Sequence, residues 1–142
     1  ETVEDLVEAL NDIKEEIKLI NETRKILNDN SIKITSTAVR VPIEICHGES
    51  INLEFHNKFE IEDVLEVLNS SPGLKVIDDV NNNLYPMPIS AANKDDVYVG
   101  RIRRDNSVEN GLNLWVVADN LRKGAATNTI QIAETLLEKN LL

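Results

Sequence analysis

VYVGRIRRDNSVENGLNLWVVADN, residues 97–120, is the stretch on which the fold turns. Val97 to Arg103 and Leu112 to Ala118 are β-branched and aliphatic runs, joined by a polar connection that holds Asn110-Gly111. Asn-Gly between two such runs is a strong hairpin signal, because both residues tolerate positive φ. Outward from this hairpin, Leu74 to Ile77 reads as a short strand. Ile51, Leu53 and Phe55 alternate as a half-buried strand that follows a bend at His47-Gly48. Ile32, Ile34 and Val39-Arg40-Val41 form a further β-branched run, read as a strand closed by Pro42. Phe59 to Leu68 is an amphipathic helix stopped by Ser70-Ser71-Pro72-Gly73, and a last helix starts at Gly124 with Ile130, Ile132, Ala133 and Leu136-Leu137 as its apolar face. Asp78 to Asp96 reads mostly as loop.

The first 28 residues carry the strongest periodicity. Val3, Leu6, Leu10, Ile13, Ile17, Ile20 and Leu27 fall at alternating three- and four-residue steps, with Arg24 in the unfilled slot. This predicts a helix of about 40 Å, weakest at Asn11-Asp12 and ended by Asn28-Asp29-Asn30. The resulting order argues for an α+β fold, with a mixed, largely antiparallel sheet, flanking helices and a long N-terminal helix.

At 142 residues, 42% hydrophobic and 28% charged, the chain suits one globular domain over 1–142. The formal net charge of −10 opposes a phosphate backbone, and Arg101, Arg103 and Arg104 are followed at once by Asp105, so nucleic acid is set aside. Cys46, the single cysteine, excludes an internal disulfide and a cysteine zinc site, which fits a reducing cytoplasm. No apolar run approaches the roughly 20 residues of a membrane span, and no signal peptide is visible. A helical pattern that opens at Glu1 without an initiator Met suggests a chain cut from something longer.

His47 is the residue best suited to moving a proton near neutral pH, although a histidine beside a strand is commonly structural. Its neighbour Cys46 invites a Cys–His nucleophile, but adjacent residues of an extended chain face opposite ways, so a packed thiol is the preferred reading. Arg40, set between two valines, needs a carboxylate or phosphate if buried, and Glu44 or Glu49 would serve for a plain ion pair. His56 reads as surface decoration. Lys123-Gly124-Ala125-Ala126 opens a helix whose N–H groups can receive an anion, a weak signal by itself. Asp78-Asp79 and Asp95-Asp96 read as solvated loop acids, and no metal site is expected. Two sequons, at Asn21 and Asn69, read as chance matches.

Taken together, Val39-Arg40-Val41-Pro42-Ile43, His47-Gly48-Glu49-Ser50 and the segment from Val99 to Ala126 resemble the bacterial type of aspartate-semialdehyde dehydrogenase. The likeness runs over about residues 14–139. It implies the catalytic and dimerisation half of an enzyme that turns β-aspartyl phosphate and NADPH into aspartate semialdehyde, NADP and phosphate. That reaction serves the aspartate-family route to lysine, threonine and methionine. By motif position the resemblance implies His47 as acid/base and Arg40 as the clamp on the substrate carboxylate. It implies Glu15 and Lys18 as substrate and phosphate contacts, and Asn120, Gly124 and Gln131 where the last helix reaches NADP. A homodimer is implied, with the N-terminal half as a further partner.

The departures limit this. The family's nucleophilic cysteine and glycine-rich dinucleotide turn have no counterpart, since Cys46 is misplaced and the five glycines are scattered. A stretch the family carries between about Asn11 and Lys14 is absent, and Gly48 stands where the family usually has serine. The resemblance therefore implies no activity and no NADP binding by this chain alone. The competing reading is a non-catalytic dimerisation or assembly module derived from the same domain. A cysteine hydrolase built on Cys46 and His47 is the least favoured.

Overall fold

A computed structural model describes residues 3–141, with the side chains of residues 3–13 outside that description. The chain divides into two compact units, Glu1–Pro42 and Ile43–Leu142.

The first unit contains helix α1, Val3–Leu27. Asn28 closes it at φ 51, a left-handed cap that asparagine accepts readily, and the Asp29 N–H reaches back to the Arg24 carbonyl at 3.0 Å. The apolar positions up to Ile13 lie outside the described side chains. Beyond them Ile20 is half-buried, whereas Ile17 and Leu27 are exposed.

The strand expected at Ile32 to Val41 does not form. Its alternation is real, for Ile32, Ile34, Ser36 and Ala38 are half-buried between exposed Lys33, Thr35, Thr37 and Val39. A strand also needs a neighbouring strand to take its backbone groups. Here the tie points are on α1 instead. Ala38 N–H donates to Glu16 Oε1 at 2.9 Å, Ser36 Oγ donates to the Glu16 carbonyl at 3.0 Å, and Arg24 Nε donates to the Ile32 carbonyl at 3.1 Å.

The second unit is built on β1 (His47–Glu54), β2 (Leu74–Val76), β3 (Val97–Asp105) and β4 (Gly111–Ala118). Their order is β1-β4-β3-β2. The β1/β4 and β3/β4 pairs are antiparallel and the β2/β3 pair is parallel, so the sheet is mixed and largely antiparallel, as the sequence argues. Helix α2 (Ile61–Ser70) packs on β2 and β3, and the single turn α3 (Pro88–Ala91) packs on β4. The core joins Cys46, Ala91, Tyr98 and Val117, with Ile77 and Trp115 against it. Leu112 and Val99 are also buried, Val99 being the neighbour of Tyr98 and so directed to the opposite face.

Several local expectations change. The hairpin exists, but its loop is Asn106–Asn110, and Gly111 is the first residue of β4, paired with Asp105. A Cβ at Gly111 would crowd Val108 Cγ2 at 2.5 Å, which explains glycine there. Phe59 lies before α2, its ring 5.2 Å from that of Phe55 and 4.4 Å from the Arg104 guanidinium. His47-Gly48 is not a bend, for both residues are paired in β1, with Ala118 and Val117. The bend falls earlier, at Glu44-Ile45, and Cys46 between it and β1 has φ 84. The last helix starts before Gly124, with a π-helical turn Arg122–Ala126 leading into α4, Thr127–Glu138.

Candidate active site

The head of β1 is held from the end of β4. His47 opens the strand and is exposed, while Cys46 before it is only 3% exposed. The Cys46 N–H donates to Asn120 Oδ1 at 3.0 Å, and its thiol donates to the Pro88 carbonyl at 3.3 Å. Burial pushes the Cys46 thiol up, with the Asp119 carboxylate adding to the effect. A thiol in that setting is a poor nucleophile. Asp119, 2% exposed, accepts the N–H groups of Asn93 at 2.8 Å, Leu121 at 2.9 Å and Arg122 at 3.2 Å. Those bonds hold its carboxyl below the ordinary carboxylate range, the Asn93 bond most of all. Asp119-Asn120 thus fastens three chain segments to the end of β4. Composition gave no sign of it.

Gly48 follows His47 and lies against the Trp115 ring. The indole Nε1 donates to the Pro86 carbonyl at 2.8 Å.

In the first unit, Glu15 and Lys18 make an exposed i,i+3 ion pair at 3.7 Å. Arg40 sits at the exposed end of the extended segment, two residues past Ala38. The residue that anchors this segment is Glu16, which sequence reasoning passed over in favour of Glu15. Neighbouring glutamates look alike in sequence, and only the bond to Ala38 separates them. Arg40, Glu15 and Lys18 belong to the first unit, and His47, Asn120, Gly124 and Gln131 to the second.

The start of the last helix is fastened by charge. Asp95 accepts Arg122 Nε at 2.8 Å and Nη2 at 2.9 Å, and Thr127 Oγ1 at 2.7 Å. The Arg122 hydrogen bonds, helped by Thr127, take the Asp95 carboxyl down to about 2. Lys123 Nζ donates to Gln131 Oε1 at 2.5 Å, beside a shallow groove that also includes Gly73, Asn128 and Thr135. Gly124 is exposed, and a Cβ there would meet only Asn120 Cβ, at 3.8 Å. Asn120 Oδ1 and Gln131 Oε1 are both engaged internally, so any ligand would meet their amide NH2 groups.

The loop acids are more than solvated decoration. Asp96 pairs with Lys75 at 2.6 Å, Asp79 caps the turn at Asn81 and Asn82, and Asp78 Oδ2 accepts the Ile102 N–H at 2.7 Å. That N–H is freed by a bulge in β3 between Gly100 and Arg103, where Arg101 has φ 55. Among the described residues no three His, Cys, Asp or Glu side chains converge as a metal site would require. No helix among them is long and apolar enough to cross a membrane.

Comparison with known proteins adds the following. Residues 4–123 match the family model for the dimerisation domain of semialdehyde dehydrogenase. An aspartate-semialdehyde dehydrogenase of Aquifex aeolicus is 53% identical over 129 residues, covering 91% of this chain and 38% of that protein. The crystal structure of aspartate semialdehyde dehydrogenase II complexed with ASA from Vibrio cholerae superposes with a TM-score of 0.82 at 44% identity. It covers 88% of this chain and 37% of that one. The structure of aspartate semialdehyde dehydrogenase with NADP from Candida albicans gives a TM-score of 0.62 at 29% identity, over 79% of this chain and 35% of that one. The chain spans a little over a third of the length of the curated relatives it matches.

Proposed function

This chain belongs to the semialdehyde dehydrogenase family, as its dimerisation domain, and from that membership we propose that it is the catalytic and dimerisation part of an NADP-dependent aspartate-semialdehyde dehydrogenase. The reading takes residues 1–142 as one domain of a homodimeric cytoplasmic enzyme of aspartate-family amino-acid biosynthesis. The head of β1 carries it: an exposed imidazole stands on a strand end whose preceding residue is buried and hydrogen-bonded on both backbone and side chain.

His47 then gives and takes the proton of the acyl-transfer step, work that suits an imidazole at neutral pH. Arg40 grips the substrate carboxylate through its two-pronged guanidinium. Lys18 meets the phosphate and Glu15 a substrate amine, once a ligand competes for their surface ion pair. Such pairs contribute at most about 1 kcal/mol, so the competition is cheap. NADPH, when bound, supplies the hydride, and Gly124 with the Asn120 and Gln131 amides would line its approach.

Alone, the chain is inactive. The chemistry needs a cysteine thiolate, and Cys46 is buried with its thiol pushed up. The test is phosphate-dependent reduction of NADP with aspartate semialdehyde. The pure chain should show none. Joined to the portion of the Aquifex aeolicus relative outside the matched region, it should show activity, and His47→Gln should then lower kcat by about 10²–10⁴-fold. Full activity in that variant would remove His47 from the reaction.

A second reading is a non-catalytic dimerisation module. The engagement of Asn120 and Gln131 with the chain itself favours it. It requires the joined protein to stay inactive while still forming dimers.

A further inference from the structure

We propose that Asn120 is a positioning residue for His47, acting through the hydrogen bond from the Cys46 N–H to its side-chain oxygen, which leaves its amide NH2 to face the nucleotide. The inference rests on the reading of His47 as the proton-transfer group, and it adds a second role to a residue also expected among the cofactor contacts. Cys46 has φ 84, a conformation that side-chain-bearing residues hold only when their surroundings over-determine it. Here they do. Its thiol is tied to the Pro88 carbonyl, its N–H to Asn120 Oδ1, and its side chain is packed with Ala91, Tyr98 and Val117.

The geometry places this lock immediately before the group it governs. His47 is the first paired residue of β1, opposite Ala118. Two residues beyond Ala118 comes Asn120, so one end of β4 sets both the register of His47 and the backbone angle that precedes it. Without the Asn120 acceptor, Cys46 can relax toward negative φ, which swings the His47 Cα–Cβ bond while leaving the β1/β4 ladder beyond it intact. Asn120 is itself held. Its neighbour Asp119 is buried and bonded to three backbone N–H groups, so the acceptor stands on a fixed support. A neutral amide suits the post, because a carboxylate at 120 would sit beside that of Asp119.

The chain has two histidines, His47 at the head of β1 and His56 two residues beyond its far end, so His56 serves as an internal reference in nuclear magnetic resonance of the whole chain. In Asn120→Leu the Cys46 amide should exchange at least about tenfold faster, in line with a lost hydrogen bond of some 1.4 kcal/mol. The His47 ring signals should shift or broaden while those of His56 stay in place. Asn120→Asp, which keeps the acceptor oxygen but sets a second carboxylate beside Asp119, should restore both in part. In the joined, active protein, Asn120→Leu should lower kcat by on the order of tenfold or more even at saturating NADP.

A raised NADP KM with kcat and the His47 signals unchanged would overturn the inference and leave Asn120 to the cofactor alone. So would a Cys46 amide that is unprotected in the unaltered chain, a measurement that needs no variant to fold. If His47→Gln leaves activity intact, the functional reading fails on its own, and the resonance measurements still decide whether the latch exists.

Discussion

A Cβ added at Gly48 would lie 2.5 Å from Trp115 Cη2 and 2.7 Å from Cζ2, closer than carbon atoms approach in folded proteins. The φ of Gly48 is not in the left-handed region, so the demand on this glycine is purely one of space. Gly48→Ser, the residue the family resemblance leads one to expect, must push the indole aside and strain its hydrogen bond to the Pro86 carbonyl. A cost of about 2 kcal/mol is expected, typical of overpacking. Trp115 is the only tryptophan, so its emission should shift in the native state of the variant. Unchanged emission together with unchanged stability would mean that the ring has room to move. At this scale sequence was partly legible. The packed state of Cys46 followed from alternation along an extended chain, whereas the positive φ of Cys46 and the Glu16 bond to Ala38 are tertiary outcomes that no spacing announces.

The elements that could be read were those whose partners are adjacent in sequence. The 97–118 hairpin and α2 carry their own periodicity and stops, and they form close to where the sequence places them. Residues 32–41 carry the same kind of alternation and failed as a strand, because pairing is a property of two segments and the bonds of this one go to α1. The start of the last helix was mislocated for a related reason. Arg122 and Thr127 are drawn together by Asp95, some 30 residues upstream, and the backbone begins to coil at Arg122 instead of Gly124. This clamp makes a pH prediction. The Asp95 carboxyl sits near 2 in the folded chain, below the value of about 4 it takes when unfolded. Its contribution to stability is therefore complete above about pH 4 and lost as pH falls toward 2. The gap in melting temperature between the unaltered chain and Asp95→Asn should be widest near pH 6 and should close below pH 3. A gap that does not change with pH would show that the pair acts through packing alone.

For the whole molecule, the balance of apolar surface argues for a second copy. Buried apolar side chains among the described residues are few: Cys46, Pro86, Ala91, Tyr98, Val99, Leu112 and Val117. Ile89, Leu121, Ile130, Ile132 and Leu137 are more than half exposed, apolar surface that a second copy packed on them would take out of water. Burial of aliphatic surface stabilises association by roughly 25 cal/mol per Å², and this term does not weaken as salt is added. Charge acts the other way. Each copy carries −10, so two copies repel across any interface until ions screen them, over a length that falls from about 30 Å at 0.01 M salt to about 8 Å at 0.15 M. Self-association should therefore tighten as salt rises. Sedimentation or light scattering across that range should move the chain from mostly monomer toward dimer. A dimer that dissociates with added salt would point to an interface of ion pairs, and a strict monomer at every salt concentration would rule out dimerisation by this chain alone.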